Sequence, residues 1–493
     1  MNFELFEICS IVIVLSAVFG YLNVKFLKLP NTIGLMIIAI LFTGFLFASK
    51  FYTNFFIDIA NNLISQIDFQ KVLLEMMLGF LLFAGAMHTN FDQLRVQRWP
   101  VLVFSTLGVL ASTFICASLI YFAFRLLGIE PRYIECLLFG ALISPTDPIA
   151  VLGILKRAGV PKKLETKIVG ESLFNDGVGV VVFLTIFQIA AGGAHHGHAE
   201  KGHAHAKPGA VVQVSHSVDA SGVSGASDAS AGNEETEGAM VPTSEESGEN
   251  SAEAENKHAP ENSNAFIGVV KLFGTEVLGG ILLGLVLGYI TFLLLRSIDD
   301  YEIEVLITLA CVMGGYSLAL AWHLSAPLAI VVAGLIVGND TVRGTAMSQQ
   351  TEMYVDRFWE LLDILLNAVL FVLIGLELLV LNITQQYIYA AGLAIVIVLA
   401  SRFLSLLFPV RFFAKKLDFV PHTATIMTWG GLRGGISIAL ALTLTAELNR
   451  ELFLTVTYGV VIFSIIVQGL SVGKLARKLI GAEATQGEPS VEH

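Results

Sequence analysis

Charge is what this sequence has least of: 14% of its 493 residues are charged, while 55% are hydrophobic. A water-soluble domain needs roughly a quarter of its residues charged to cover its surface, so that class is excluded. Strand-length stretches of alternating apolar and polar residues are also missing, which argues against an outer-membrane barrel. Cysteine is scarce. The four present, Cys9, Cys116, Cys136 and Cys311, lie in apolar runs at spacings that match no zinc pattern, and they read as buried free thiols. No basic patch suggests nucleic acid. No nucleotide-binding motif, HExxH or GxSxG context appears, so neither an enzyme nor a cofactor is expected. The start of the chain lacks the positive charge of a secretory signal. Glu4 and Glu7 stand there, and the apolar run continues to Lys25 and Lys28 without a small-residue cleavage pattern. It reads as a retained first helix.

What is present is a series of apolar runs, each long enough to cross a bilayer core of about 30 Å as a helix. Candidate spans are 4–24, 32–49, 68–88, 99–124, 134–154, 167–191, 266–295, 302–322, 325–339, 358–381, 385–409, 422–445 and 452–471. The expected fold is therefore all-α, a polytopic membrane protein of about thirteen helices partnered by the lipid bilayer. Lys and Arg in short loops give the orientation. Lys25, Lys28, Arg95, Arg98, Lys156, Arg157, Lys162, Lys163, Lys167, Arg296, Arg343, Arg357, Arg411, Lys415, Lys416, Lys474, Arg477 and Lys478 all fall on one side of a thirteen-span chain. That side is the cytoplasm, so the N-terminus is expected outside and the C-terminus inside.

The domain plan is four segments. Residues 1–191 carry spans one to six, and 265–480 carry spans seven to thirteen. Residues 481–493 form a short cytoplasmic tail. Between the halves, 192–264 is rich in Gly, Ala, Ser, Glu and His and cannot bury a core, so an extracytoplasmic disordered insert is expected. From His195 to Asn264 twelve acidic residues face three basic ones, which accounts for −9 of the formal −12. The membrane part is nearly neutral.

Ionisable side chains inside spans are costly, and each is a functional candidate. Span five carries Ser144, Pro145, Thr146, Asp147 and Pro148 amid apolar sequence. Two prolines flanking an acid remove backbone donors and leave carbonyls unpaired, so this helix should break near the midplane. Freed carbonyls and a carboxylate suit a hard cation. Span six carries Glu171, Ser172, Asn175 and Asp176, with i,i+4 pairs on adjacent faces. Gly177 and Gly179 follow and admit a close neighbour. Span twelve carries Gly430, Gly431, Leu432, Arg433, Gly434 and Gly435, which cannot hold a regular helix firmly. One broken helix in each half at matching places is the mark of an inverted-repeat transporter. Arg433 needs an anion, and Glu171 is the chosen partner. Weaker candidates are Glu75, His88, Glu304, Asp363, Asn367 and Glu377, which more often cap helices or pair across a bundle.

Two carboxylates and a hydroxyl beside broken backbone make a small oxygen-rich cage. Two charged aspartates close together in a low dielectric repel each other, so loss of a cation should draw in a proton. Binding of cation and proton then excludes each other at one site, and alternating access yields exchange. An ion gradient must drive it.

Residues Ser144 to Pro148, Gly170 to Gly177 and Gly430 to Gly435 resemble the NhaP-type sodium/proton antiporters of the cation:proton antiporter-1 family, which includes the animal sodium/proton exchangers. The resemblance covers the chain apart from the insert and the tail. It implies thirteen helices with inverted repeats, two interrupted helices that cross in a core domain, and a dimerisation domain that makes a homodimer. It implies that Asp176 is the main ion and proton site, with Asp147, Ser172, Thr146 and Asn175 contributing and with Asp176, Asp147 and Ser172 as the sodium ligands. It implies a structural ion pair of Glu171 with Arg433. Asn175, where the electrogenic branch has a second Asp, implies electroneutral exchange of one sodium or lithium ion for one proton, serving pH and sodium homeostasis at the cell membrane. Sodium and protons are then substrates, and no resident cofactor is implied. Potassium exchange on the same fold and an uncoupled channel or sensor are the alternatives. One departure stands out. Many relatives carry an acid in span three within Phe-Glu-Gly, where this chain has Phe83, Ala84 and Gly85.

His195, His196, His198, His203 and His205 cluster in the insert. Such a tract can hold transition metals loosely or titrate near neutral pH. The plainer reading is a tolerated, solvated insertion. Deletion of residues 195–262 is therefore expected to leave ion exchange in membrane vesicles largely intact, and complete loss of flux would overturn that reading.

Overall fold

The computed structural model describes residues 5–49, 53–68, 71–89, 94, 96–147, 151, 153–155, 158–196, 261–381, 383–414 and 422–484. Among these residues the regular structure is helical and no strand occurs. The first half contains α1 (Leu5–Leu22), α2 (Asn31–Ser49), α3 (Phe55–Ser65), α4 (Leu78–Met87), α5 (Arg98–Ser105), α6 (Leu107–Leu126), α7 (Tyr133–Ile143) and α8 (Lys162–His196). The second contains α9 (Glu261–Arg296), α10 (Tyr301–Ala321), α11 (Ala326–Val337), α12 (Asp340–Ala346), α13 (Gln349–Glu377), α14 (Gln385–Ala414), α15 (Thr423–Gly430), α16 (Gly435–Leu442), α17 (Arg450–Phe463) and α18 (Gly469–Ala484).

Nine stretches among the described residues are long and apolar enough to cross a membrane: α1, α2, α5 with α6, α8, α9, α10, α13, α14, and α17 with α18. Shorter apolar helices at Val72–Met87, Tyr133–Ile143 and Ala326–Val337 stand beside them, as does the broken pair α15 and α16. All lie on segments expected from hydropathy. Several boundaries differ, among them the last span, expected to end at 471, whose helix α18 runs on to Ala484. Helix α13 begins at Gln349, nine residues before its expected start, because the Ser348 hydroxyl caps it by accepting the Thr351 N–H. Its polar first turns are then held by an ion pair of Asp356 with Arg343 at 3.0 Å. Helix α3 was not anticipated at all; at 11 residues it is too short to register as a span. The Asp300 side chain similarly starts α10, accepting from the Glu302 and Ile303 N–H groups.

The insert expected at 192–264 lies outside the described residues except at its edges, where helix persists to His196 and resumes at Glu261. Residues 485–493 of the expected tail also lie outside them.

Burial grades from rim to centre. Only 22% of the apolar window in Phe6–Leu27 and 28% of that in Gly274–Arg296 is buried, against 67% in Leu164–Ala190 and 72% in Arg450–Ile480. Large apolar side chains such as Leu278, Leu282, Leu361 and Phe408 are exposed. On a soluble protein such a belt would be an aggregation surface, and in a bilayer it is the lipid face. Of the four thiols expected to be buried, Cys116, Cys136 and Cys311 are, but Cys9 is exposed on the rim helix α1. All four are free.

Two helices break in mid-span. Helix α7 stops at Ile143. The Ser144 carbonyl would next accept from residue 148, and a proline there has no N–H to give. Helix α15 stops at Gly430, and the chain is extended at Gly434 (φ −116°, ψ −164°) before α16 resumes. The two breaks meet: the Asp147 N–H donates to the Leu432 carbonyl at 2.8 Å.

Close packing against α7 depends on Gly140, where a Cβ would sit 2.4 Å from the Thr113 carbonyl oxygen of α6. Gly140→Val is expected to force α6 and α7 apart and cost about 1–3 kcal/mol. The readout is a lower unfolding midpoint in detergent, with Gly314→Ala, which has open space around it, as the control that stays near the parent.

Candidate functional site

The crossing of the two breaks is held by Arg433, which is 2% exposed. Its Nη1 donates to the Ser144 carbonyl at 2.6 Å and to the Pro145 carbonyl at 2.9 Å. The guanidinium thus supplies the donors that the proline-broken helix lost. The Arg433 backbone N–H donates to Ser464 Oγ at 2.9 Å, which ties the glycine-rich break to the last span.

The expected Glu171–Arg433 pair is corrected by these contacts. Glu171 is held instead by Arg402 on α14, in a bidentate fork: Nη1 to Oε1 at 2.8 Å and Nη2 to Oε2 at 2.6 Å. Both side chains are essentially buried. Parallel N–H donors matched to a carboxylate make this the stronger geometry, while Arg433 is committed to carbonyls. Arg402 was missing from the candidate residues. Its signal was in plain view, since an arginine in the middle of span eleven meets the same criterion that singled out Arg433.

Helix α8 is clamped to the first break by three of the expected residues. The Thr146 N–H donates to Asn175 Oδ1 at 3.1 Å. Asn175 Nδ2 donates to Thr146 Oγ1 and to Glu171 Oε1, each at 2.8 Å. Thr146 Oγ1 and Ser172 Oγ lie 2.8 Å apart, within hydrogen-bond reach. Thr146, Ser172 and Asn175 are all buried. The small residues after Asp176 behave as expected: a Cβ at Gly177 would meet Leu328 at 2.6 Å, and one at Gly179 would meet the Pro145 ring at 2.4 Å.

Asp147 and Asp176 line one small cavity of about 50 Å³. Asp176 is 4% exposed, and Asp147 is partly open to the cavity. The Asp147 carboxylate packs on Gly434, where a Cβ would come within 3.1 Å of its Oδ2. Pro145, Leu173, Gly434, Gly435, Ile436 and Ser437 form the rest of this side. The facing side comes from Leu73, Leu78, Leu81, Leu82 and Gly85 near α4 and from Asn367 and Leu370 on α13. The span-three wall is thus apolar where it meets the cavity. Ala84 is buried and does not line it.

The weaker candidates divide. Asn367 lines the cavity, and its Nδ2 donates to the Asp363 carboxylate at 3.0 Å, as their shared face predicted. His88 Nδ1 lies 2.7 Å from the Ala84 carbonyl at a helix end, a capping role. Glu304 is fully buried away from the cavity lining. Glu377 lines a separate cavity with Arg450. The side chain of Glu75 lies outside the described residues. None of these described groups, nor the site itself, forms a cluster of three or more His, Cys, Asp or Glu suited to a transition metal.

The family model described as sodium/hydrogen exchanger, transmembrane, matches residues 13–478. The chain is 41% identical over 483 residues to the Na(+)/H(+) antiporter NhaP of Pseudomonas aeruginosa, covering 97% of each. It is 29% identical to the Na(+)/H(+) antiporter NhaH of Halobacillus aidingensis, over 92% of this chain and 93% of that one. Its fold is similar to the solved structure of the sodium proton antiporter MjNhaP1 from Methanocaldococcus jannaschii, with a TM-score of 0.65 at 18% identity, covering 97% of this chain and 100% of that one.

Arg402→Ala would strand the Glu171 carboxylate in the bundle, a loss of about 3–5 kcal/mol. The expected outcome is a collapse in the monodisperse fraction on fluorescence-detected size exclusion, partly recovered by adding Glu171→Ala. A second substitution that restores nothing would show that the pair is not what Arg402 stabilises.

Proposed function

The chain belongs to the sodium/hydrogen exchanger family, and on that premise we propose that it exchanges sodium for protons across the membrane, one for one, at the Asp147–Asp176 cavity. A single observation carries the reading: two carboxylates line one small cavity at the crossing of two broken helices.

Charge counting supports the stoichiometry. Asp147, Asp176 and Glu171 contribute three negative charges at the crossing, and Arg402 and Arg433 contribute two positive ones. Leaving aside Asp363, which is bonded to Asn367 on the facing wall, the remainder at the crossing itself is −1. One sodium ion or one proton cancels it, and both together overshoot in a medium where uncompensated charge is costly. Glu171 and Arg402 neutralise each other, so the remaining negative charge belongs to the aspartates. Asp176 is the main site in this reading and Asp147 its partner. Ser172 and Thr146, bonded to each other behind the cavity rather than lining it, hold the broken backbone in place, and Asn175 locks the break to α8.

Transport by alternating access needs a site with two walls that can part. Here Asp147 and Asp176 belong to the side built on α8 and the breaks, while the facing wall on α4 and α13 is largely apolar. An apolar wall offers the ion no second seat, so it favours sliding over trapping. Thirteen spans, an outside N-terminus and a cytoplasmic C-terminus in the cell membrane fit the Lys and Arg asymmetry of the loops. The weakly buried rim helix α1 offers a face for a second copy in a homodimer.

In inverted vesicles, added sodium is expected to collapse a preset pH gradient, and Asp176→Asn to abolish this while the protein still inserts. Full exchange by that variant would remove the central assignment. Imposing a membrane potential should leave the rate unchanged, because a one-for-one exchange moves no net charge.

A further inference from the structure

Ser437 stands on the cavity wall with a hydroxyl that no other described residue employs. The residue is 1% exposed, and among the described residues its Oγ has no hydrogen-bond partner. A buried hydroxyl left unpaired is unfavourable. Most buried helical hydroxyls avoid this by returning to a carbonyl three or four residues earlier. Ser401 does so to Val398, Ser405 to Arg402 and Thr457 to Phe453. Ser437 lacks that outlet because of where it sits. It is in the first turn of α16, and the residues three and four before it are Gly434, which is extended, and Arg433 in the break. The interruption of the helix therefore leaves this oxygen without a carbonyl, on a residue that lines the cavity together with Asp147 and Asp176.

We propose that Ser437 is a ligand of the transported cation, its Oγ completing the cage formed with the Asp147 and Asp176 carboxylates. A hydroxyl oxygen has lone pairs to offer a hard cation and carries no charge of its own. It raises the number of oxygen ligands while the crossing keeps its net charge of −1. This matters because the span-three wall of the cavity is apolar. It also assigns each broken helix a ligand, an aspartate from the first break and a hydroxyl from the helix that resumes after the second. The inference rests on the exchange reading above.

The test compares Ser437→Ala and Ser437→Thr with the parent protein in sodium-driven vesicle flux, with KM for sodium and maximal rate measured separately. Sodium-dependent thermal stabilisation of purified protein gives a second readout. Ser437→Ala is expected to raise KM for sodium about fivefold or more with a smaller change in maximal rate. The same variant should lose most of the sodium-dependent stabilisation, and Ser437→Thr, which keeps the oxygen, should restore both. A KM within twofold of the parent, or a fall in maximal rate alone, would overturn the ligand role and mark Ser437 as packing. Absence of sodium exchange in the parent protein would overturn the exchange reading, and this inference with it.

Discussion

Two peptide carbonyls, those of Ser144 and Pro145, lie in the middle of a membrane helix where no helical N–H serves them, and the guanidinium of Arg433 takes both. The rest of the site depends on that substitution. Broken backbone at bilayer depth persists only where protein groups satisfy it. Arg433 does so from the opposite break, so each interruption stabilises the other, and the Asp147 N–H bond to the Leu432 carbonyl closes the arrangement. An arginine is suited to this task because its planar fork reaches several oxygens at once and stays charged.

Around that crossing the polar groups separate into those that hold and those that remain for chemistry. Glu171 and Arg402 satisfy each other with two short bonds and add no net charge. Asn175 uses both ends of its amide, accepting from the Thr146 N–H and donating to Thr146 and Glu171. These bonds fix α8 against the break and set Asp176 and Asp147 on the same cavity. Polar networks in a low dielectric are rigid when fully satisfied. The proposed exchange uses that rigidity, since a cage that reshaped itself around a proton would not exclude the cation.

The bundle shields this polar centre by its gradation of burial. The helices that carry the site are among the most enclosed, while α1 and α9 present most of their apolar surface outward. Charge and broken backbone are concentrated where protein surrounds them, and lipid meets almost uniform hydrocarbon. The polar first turns of α13 show the same economy at the membrane edge. There Arg343 donates to the carbonyl ends of α4 at Met87 and α11 at Val337 while pairing with Asp356.

The sequence by itself determined the membrane class, the apolar spans, the two interruptions and the two aspartates that line the cavity between them. All of these follow from local properties: run length, the missing N–H of proline, the weakness of glycine in helices, and the cost of a carboxylate in hydrocarbon. It also marked Thr146, Ser172 and Asn175, whose spacing places them on adjoining faces of one helix and beside one break. What only the tertiary structure decided was partnership. Two buried arginines and one buried glutamate allow two pairings, and periodicity along the chain does not choose between them. The choice fell to Arg402 because the second break brings Arg433 onto the carbonyls of the first, and that meeting joins segments almost 290 residues apart. Likewise, that Ser437 lines the same cavity as the aspartates is a consequence of where α16 resumes, which no local pattern encodes. Helices and breaks are written in short-range chemistry, whereas the pairing of charges depends on how the whole bundle closes.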